Sequence, residues 1–95
     1  MEEKYYIVRG DRSGVFFGNI AKREGREVTM RNVRRLWYWN GAASISQLAQ
    51  EGTTLPESCK FTVTVDEVII LDCIEIDKCT SKAVKSISGV KAWRI

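Results

Sequence analysis

The sequence has no histidine, a single proline and three cysteines among its 95 residues. Without histidine, the chain cannot assemble a Ser-His-Asp or Cys-His arrangement, and it has no imidazole ligand for a metal ion. Cys59, Cys73 and Cys79 make an odd count without CxxC spacing, so we expect free thiols and neither a disulfide nor a zinc site. A glycine-rich P-loop string is also absent. The sequence therefore predicts a protein that is not an enzyme and that uses no cofactor or metal.

The chain also lacks long apolar runs. No stretch approaches the roughly 20 residues that cross a bilayer, and the first residues lack the basic-then-apolar order of a signal peptide. We therefore expect a cytoplasmic protein without a membrane partner. Its 95 residues, 44% hydrophobic and 28% charged, predict one globular domain over residues 1–95.

Positive charge is concentrated in the first half of the chain. Residues 1–47 hold nine Lys and Arg against five Asp and Glu, a balance of +4, whereas residues 48–95 hold six against seven, a balance of −1. The asymmetry is a mild bias toward anionic partners. It is equally compatible with solvent-facing strand positions, where Lys and Arg are common.

Alternation of apolar and polar residues predicts a protein built mainly of β-strands. Residues 59–65 alternate most regularly, whereas residues 68–71 are apolar on both faces, which predicts a central strand or a subunit contact. Helical spacing occurs only at residues 42–50 and 80–88. The predicted strands are residues 4–9, 15–22, 26–39, 59–65, 68–76 and 90–95.

Two local features predict that the sheet is strongly bent. Gly18 lies inside the second strand, where glycine typically marks a bend or a close approach of another backbone. The apolar phase of the third strand shifts by one residue at Asn32, which predicts a β-bulge. Gly18, Gly25 and residues 28–32 also resemble the second and third strands of SH3-like and Sm-like barrels. We expect a mainly β fold, either barrel-like (SH3-like or Sm-like) or a strongly bent antiparallel sheet, with two short helices.

The stretch from residue 34 to residue 47 is the candidate binding site. Two adjacent arginines can present planar forks to phosphate, and three adjacent aromatic rings offer faces on which a base can stack. Polar residues then open a short predicted helix, whose free N–H groups can receive an anion. The predicted ligand-binding residues are Arg34, Arg35, Trp37, Tyr38, Trp39, Ser44, Ser46 and Gln47.

An alternative interpretation of the same stretch is structural. Aromatic residues in a strand of a small protein commonly fill the core or a subunit interface, and alternation sends neighbouring rings to opposite faces. We therefore expect at least one of Trp37 and Trp39 to be structural, and only one of Arg34 and Arg35 to face a ligand within one subunit. Exposed strand edges also predict a homo-oligomer.

The string RRLWYW-x-GAAS-x-SQLA at residues 34–49, with residues 14–18, 59–61 and 65–67, resembles a family of small proteins encoded mainly by bacteriophages and without an assigned activity. The resemblance implies a phage accessory protein in the host bacterial cytoplasm. We expect it to bind a phosphate-bearing ligand and to sequester a signalling nucleotide of host anti-phage defence. The alternatives are a protein–protein inhibitor of a host defence or transcription component, and a single-stranded nucleic-acid binder; the sequence does not separate the three.

Overall fold

The computed structural model describes residues 4–95. Within them, six strands and two short α-helices confirm the mainly β fold predicted from the sequence. A 3-10 turn at Pro56–Ser58 follows the first helix. The elements are β1 (Tyr6–Gly10), β2 (Val15–Glu24), β3 (Glu27–Tyr38), α1 (Ile45–Glu51), β4 (Lys60–Phe61), β5 (Val65–Ile70), β6 (Cys73–Lys78) and α2 (Ser81–Ser88).

The strands form one antiparallel sheet in the order β4-β3-β2-β1-β6, and β5 also pairs with β3. Only Leu71 and Asp72 separate β5 from β6, although β5 pairs with β3 and β6 pairs with β1. The sheet must therefore curl so that this two-residue link can join the end of β5 to the start of β6. Within residues 4–95, β5 and β6 are not paired with each other, so the sheet is strongly bent but unclosed.

The carboxylate of Asp72 holds the kink between β5 and β6. It accepts hydrogen bonds from the backbone N–H of Arg12 at 2.8 Å, from the backbone N–H of Ser13 at 3.1 Å and from the Ser13 hydroxyl at 2.6 Å. These donors, with the Ser13 hydroxyl first, lower the pKa of Asp72 below its ordinary value. The kink is thereby tied to the turn between β1 and β2.

The predicted bend at Gly18 and the predicted bulge at Asn32 are both confirmed. The β2–β3 register shifts there, because Phe17 pairs with Arg34 whereas Asn19 pairs with Arg31. Asn32 takes up the extra residue with a left-handed φ of 49°. A Cβ on Gly18 would lie 2.9 Å from the backbone carbonyl oxygens of Arg31 and Asn32, so glycine lets the two strands approach.

Two hydrophobic clusters lie on the two faces of the sheet. Neighbours such as Ile7 and Val8 belong to different clusters because strand side chains alternate between faces. The strand-enclosed cluster comprises Val8, Phe16, Val28, Met30, Val33, Ile70 and Cys73. The helix-side cluster, between the sheet and the helices, comprises Ile7, Phe17, Leu36, Leu48, Ala49, Cys59, Phe61, Cys79, Ala83, Ile87 and Val90.

Both predicted helices are present, and side-chain caps begin them. Ser44 caps α1, and Thr80 caps α2 by accepting a hydrogen bond from the N–H of Ala83 at 3.1 Å. The Thr80 hydroxyl also donates to the carbonyl of Gln50 at 2.6 Å, which joins the two helices. No helix among residues 4–95 is long and apolar enough to cross a membrane.

Three predicted strands are wrong in extent. Residues 59–65 form only β4 and the first residue of β5, because Thr62 instead exchanges hydrogen bonds with Arg35. Val63 and Val65, which belong to the apolar positions of this alternation, are exposed. Residues 68–76 are divided by the kink, so β5 is an edge strand rather than a central one. Residues 90–95 contribute a single bridge, between Ala92 and Phe61.

Candidate functional site

The three aromatic residues at the end of β3 have different environments. Trp37 is 62% exposed and Tyr38 is also exposed, whereas Trp39 is half-buried and packs against the helix-side cluster. Trp39 follows the last residue of β3, so the chain has already turned toward α1 at this point. Trp39 is therefore a structural residue, as expected for at least one of the two tryptophans, and Trp37 is available to a partner.

Trp37 stacks on Trp93, which comes from the C-terminal segment. The two ring centroids are 6.1 Å apart and the ring planes differ by 18°. Trp93 is itself 47% exposed, and its backbone N–H donates to the carbonyl of Phe61 at 2.8 Å, which fixes the segment against β4. The stacked pair is thus held by the backbone while its rings face solvent.

Lys60 of β4 adds a positive charge to this group of rings. Its Nζ lies 5.5 Å from the ring centroid of Trp93 and 6.0 Å from that of Tyr38, within the range of cation–π attraction. We call Trp37, Tyr38, Lys60 and Trp93 the aromatic platform. Sequence reasoning missed Lys60 and Trp93, because their positions depend on pairings of β4 with β3 and with the C-terminal segment.

Arg34, predicted to bind a ligand, is buried, with 5% of its surface exposed. Its Nε donates to the carbonyl of Thr62 at 3.0 Å, and its Nη2 donates to that of Phe61 at 3.2 Å. Its Nη1 donates to the carbonyls of Ile87 at 3.0 Å and Val90 at 2.9 Å. Four of its five N–H groups are therefore used inside the protein, and burial lowers its pKa.

These contacts give Arg34 a structural role. It ties the last turn of α2 to the segment that follows β4, and its guanidinium carbon lies 5.6 Å from the Phe61 ring centroid. The predicted contact between Arg34 and a phosphate has no support in this geometry. Replacement of Arg34 is therefore expected to damage the fold.

Arg35 lies on the opposite face of β3, as alternation requires. Its guanidinium carbon is 4.5 Å from the ring centroid of Phe16, and its Nη1 donates to the carbonyl of Ser13. The side chain is partly buried. Arg35 therefore does not share a surface with Arg34, and its predicted role in ligand binding stays a prediction.

The predicted polar residues at the start of α1 complete the helix itself. The Ser44 hydroxyl accepts from the N–H of Gln47 at 3.1 Å, and the Gln47 side-chain oxygen accepts from the N–H of Ala43 at 2.7 Å. This reciprocal pair is a variant of the capping box. Ser46 is exposed on the first turn. The capping roles of Ser44 and Gln47 are established by these bonds, whereas binding by the three polar residues stays a prediction.

Two carboxyl groups of β6, Glu75 and Asp77, interact with each other outside the aromatic platform. A hydrogen bond with Asp77 is the main cause that raises the pKa of Glu75, with Arg9 acting weakly in the opposite direction. One carboxylate oxygen of Asp77 is buried without a hydrogen-bond partner. Among residues 4–95, no group of three or more Cys, Asp or Glu residues is placed to hold a metal ion.

The fold and its exposed rings define a small protein with a bent β-sheet and an aromatic surface at one end of it. The chain belongs to the family described as a domain of unknown function, DUF6948, whose sequence profile matches residues 3–87. No curated protein and no solved structure matches the chain. Trp37, Tyr38 and Lys60 lie within the matched range, and Trp93 lies beyond it.

Proposed function

We propose that the protein is a non-catalytic binding module that takes a phosphate-bearing ligand with an aromatic base on the aromatic platform. The observation that supports this function is the solvent-facing stack of Trp37 and Trp93 beside Lys60. Stacking on an aromatic side chain contributes about 1–3 kcal/mol per base, and the ammonium group of Lys60 offers a charge to the adjoining phosphate. Lys60 thus offers the positive charge that sequence reasoning assigned to Arg34 and Arg35, and Trp93 adds a ring that sequence reasoning missed.

Within this proposal, a nucleotide is the leading ligand. The family resemblance of residues 34–49 adds a context in which a phage accessory protein sequesters a signalling nucleotide of host defence in the bacterial cytoplasm. Single-stranded nucleic acid is the closest alternative, because it presents the same bases and phosphates in series. The two kinds of site can be distinguished by the length of the strand that is offered. A nucleic-acid site binds longer strands more tightly, whereas a site for a single nucleotide gains nothing from additional nucleotides.

A protein partner is the second candidate, and a different observation favours it. Ile69 and Leu71, at the end of β5 and in the kink, are exposed, Leu71 by 70%, and Ile74 of β6 is exposed as well. Large apolar side chains grouped on a surface are typical of protein interfaces. This surface can serve an inhibitor that binds a host protein, and equally a second copy of the chain in a homo-oligomer.

Tryptophan fluorescence and thermal shift test the leading proposal. The wild-type protein is titrated with cyclic and linear nucleotides and with single-stranded oligonucleotides of increasing length. Trp37→Ala and Trp93→Ala should each weaken binding about ten-fold. Leu71→Ala, which removes an equally exposed apolar side chain outside the platform, should leave the affinity unchanged. Equal affinities for wild type and Trp37→Ala, or no binding of any of these ligands by the wild type, would contradict the proposal and favour the protein partner.

A further inference from the structure

A second surface feature shares no residue with the aromatic platform. It is a cleft of about 630 Å³ between the N-terminal end of β1, the end of β6 and the first turns of α2. Small-molecule sites commonly measure about 300–1,000 Å³. Its walls include Lys4 and Tyr5 before β1, Lys78 and Cys79 at the end of β6, and Val84 and Lys85 of α2. We call it the basic cleft.

Three lysines, Lys4, Lys78 and Lys85, line the basic cleft, and none of its lining residues among residues 4–95 is a carboxylate. The ion pairs within residues 4–95 are Lys22–Glu24 and Arg31–Glu67. Lys4, Lys78 and Lys85 therefore have no carboxylate within 4 Å in the part of the chain that the structure describes. Like charges gathered in one concave place repel one another and raise the local concentration of anions. A bound polyanion would remove that repulsion.

The other walls of the basic cleft include a thiol, an aromatic ring and an aliphatic side chain. Burial, and to a lesser extent the nearby carboxylate of Asp77, raise the pKa of Cys79 to about 12, so the thiol in the wall is neutral near pH 7. The ring of Tyr5 stacks on Phe17, with centroids 5.0 Å apart and planes at 19°, and this contact holds it in place. Tyr5 and Val84 thus give the cleft apolar surface beside its three ammonium groups.

We infer that the basic cleft binds a small oligophosphate, a molecule with two or more phosphate groups joined in series. Three lysines that line one concave site match several adjacent negative charges better than they match a single phosphate group, which carries about two negative charges near pH 7. The volume of the cleft accommodates such a chain, and no side chain in it is committed to an ion pair with residues 4–95. This site does not depend on the aromatic platform, so either can fail alone.

The test uses inorganic tripolyphosphate, followed by calorimetry and thermal shift. In the double variant Lys78→Gln/Lys85→Gln, tripolyphosphate should bind at least about ten-fold more weakly, because two charge-assisted contacts are lost. The control is Lys82→Gln/Lys91→Gln, which removes the same net charge from two exposed lysines outside the cleft; its affinity should stay within about two-fold of wild type. The unliganded cleft variant should melt no lower than wild type, because repulsion is relieved.

Four results would overturn the inference. The first is no saturable binding of tripolyphosphate by the wild type at millimolar concentration. The second is an equal loss of affinity in the cleft and control variants, which would assign the effect to net charge. The third is loss of tripolyphosphate binding in Trp37→Ala, which would place the anion on the aromatic platform. Sulfate at the same ionic strength should give a smaller thermal shift than tripolyphosphate, and an equal shift would also count against an oligophosphate site.

Discussion

The two faces of the sheet are held by different kinds of contact. Strand pairings run around the strand-enclosed cluster, from β5 on β3 through β2 to β6 on β1. On the other face, two helices and the C-terminal segment cover the helix-side cluster, and only one isolated bridge, between Ala92 and Phe61, pairs that segment with a strand. Hydrogen bonds from a few side chains, above all Arg34, connect this cover to the sheet.

This difference between the two faces predicts how strongly single substitutions on each of them reduce the stability of the protein. A face covered by paired strands distributes its stability over many backbone hydrogen bonds, each of which contributes little by itself. A face whose helices are joined to the sheet by few hydrogen-bonding side chains concentrates that linkage at Arg34. We therefore expect the largest single-residue effects on the helix side, and smaller ones where the strands bend around their own cluster.

The largest expected effect is that of Arg34→Ala. It removes this donor from the buried carbonyls of Ile87 and Val90 and from the part-buried carbonyl of Thr62, and it opens a cavity beside Phe61. The free energy of unfolding should fall by about 3–5 kcal/mol, measured by urea denaturation. Arg35→Ala is the matched control on the other face and should cost less than half as much. Equal losses for the two variants would remove the proposed difference between the faces.

The variant Arg34→Lys tests whether the charge of Arg34 or its planar fork stabilises the helix side of the sheet. An ammonium group keeps the charge but cannot reach, at once, carbonyls from both the segment after β4 and the end of α2, since it lacks the planar fork. We expect it to recover only a minor part of the lost stability. Full recovery would show that charge, and not the fork that joins two segments, is what the helix side needs.

The second effect tests the bend around the strand-enclosed cluster. Gly18→Ala places a Cβ 2.9 Å from two backbone carbonyl oxygens of β3, so the strands must separate. The expected loss is about 1–3 kcal/mol. Gly25→Ala is the control: Gly25 has a φ of 58° but nothing within 4 Å of its added Cβ, and the cost should be about 1 kcal/mol from backbone strain alone. Thermal or urea unfolding of the two variants measures the contribution of close packing at the bend, and a Gly18→Ala protein as stable as Gly25→Ala would disprove it.

The smallest effect is the pH dependence of the kink. The pKa of Asp72 is lowered in the folded protein, so its ionised form adds stability above the unfolded pKa, near pH 4. That stability is lost as pH falls through the folded pKa. Asp72→Asn should therefore lower the melting temperature at pH 7 and leave it nearly unchanged at the acid end of the profile.

Glu75 provides a control of opposite sign for the same measurement. Its pKa is raised in the folded protein, so its protonated form stabilises the fold below the unfolded pKa, and this contribution disappears as pH rises through the folded pKa. Glu75→Gln should then lose less stability on going from acid to neutral pH than the wild type does. Parallel pH profiles for the Asp72 and Glu75 variants would contradict both assignments.

The features that sequence reasoning predicted correctly are local in the chain. The bend at Gly18 and the bulge at Asn32 each follow from backbone geometry at one position. The role of Arg34 was missed because its acceptors lie 27 to 56 residues further along the chain. The apolar periodicity within one strand or helix cannot indicate hydrogen bonds to acceptors that lie so far away in the chain.

The candidate site shows the same limit. Sequence reasoning left open whether Trp37 and Tyr38 are exposed. The ring that stacks on Trp37 comes from Trp93, whose position depends on a bridge between Ala92 and Phe61, and alternation does not predict that bridge. The regular alternation of residues 59–65 also misled, because it reports which side chains are apolar and not whether a neighbouring strand continues beside them. Val63, which lies in the gap between β4 and β5, is exposed for that reason.

The pairing of β1 with β6 sets an order of events during synthesis of the chain. β2 and β3 form a hairpin as soon as both have left the ribosome, and β1 can pair with β2 at about the same time. The other edge of β1 must wait for β6, because Ile7 pairs with Asp77 and Tyr6 with Lys78. Contacts so distant in the chain form slowly. Until most of the chain has been made, this N-terminal strand therefore keeps one unpaired edge, and nascent chains can associate through it.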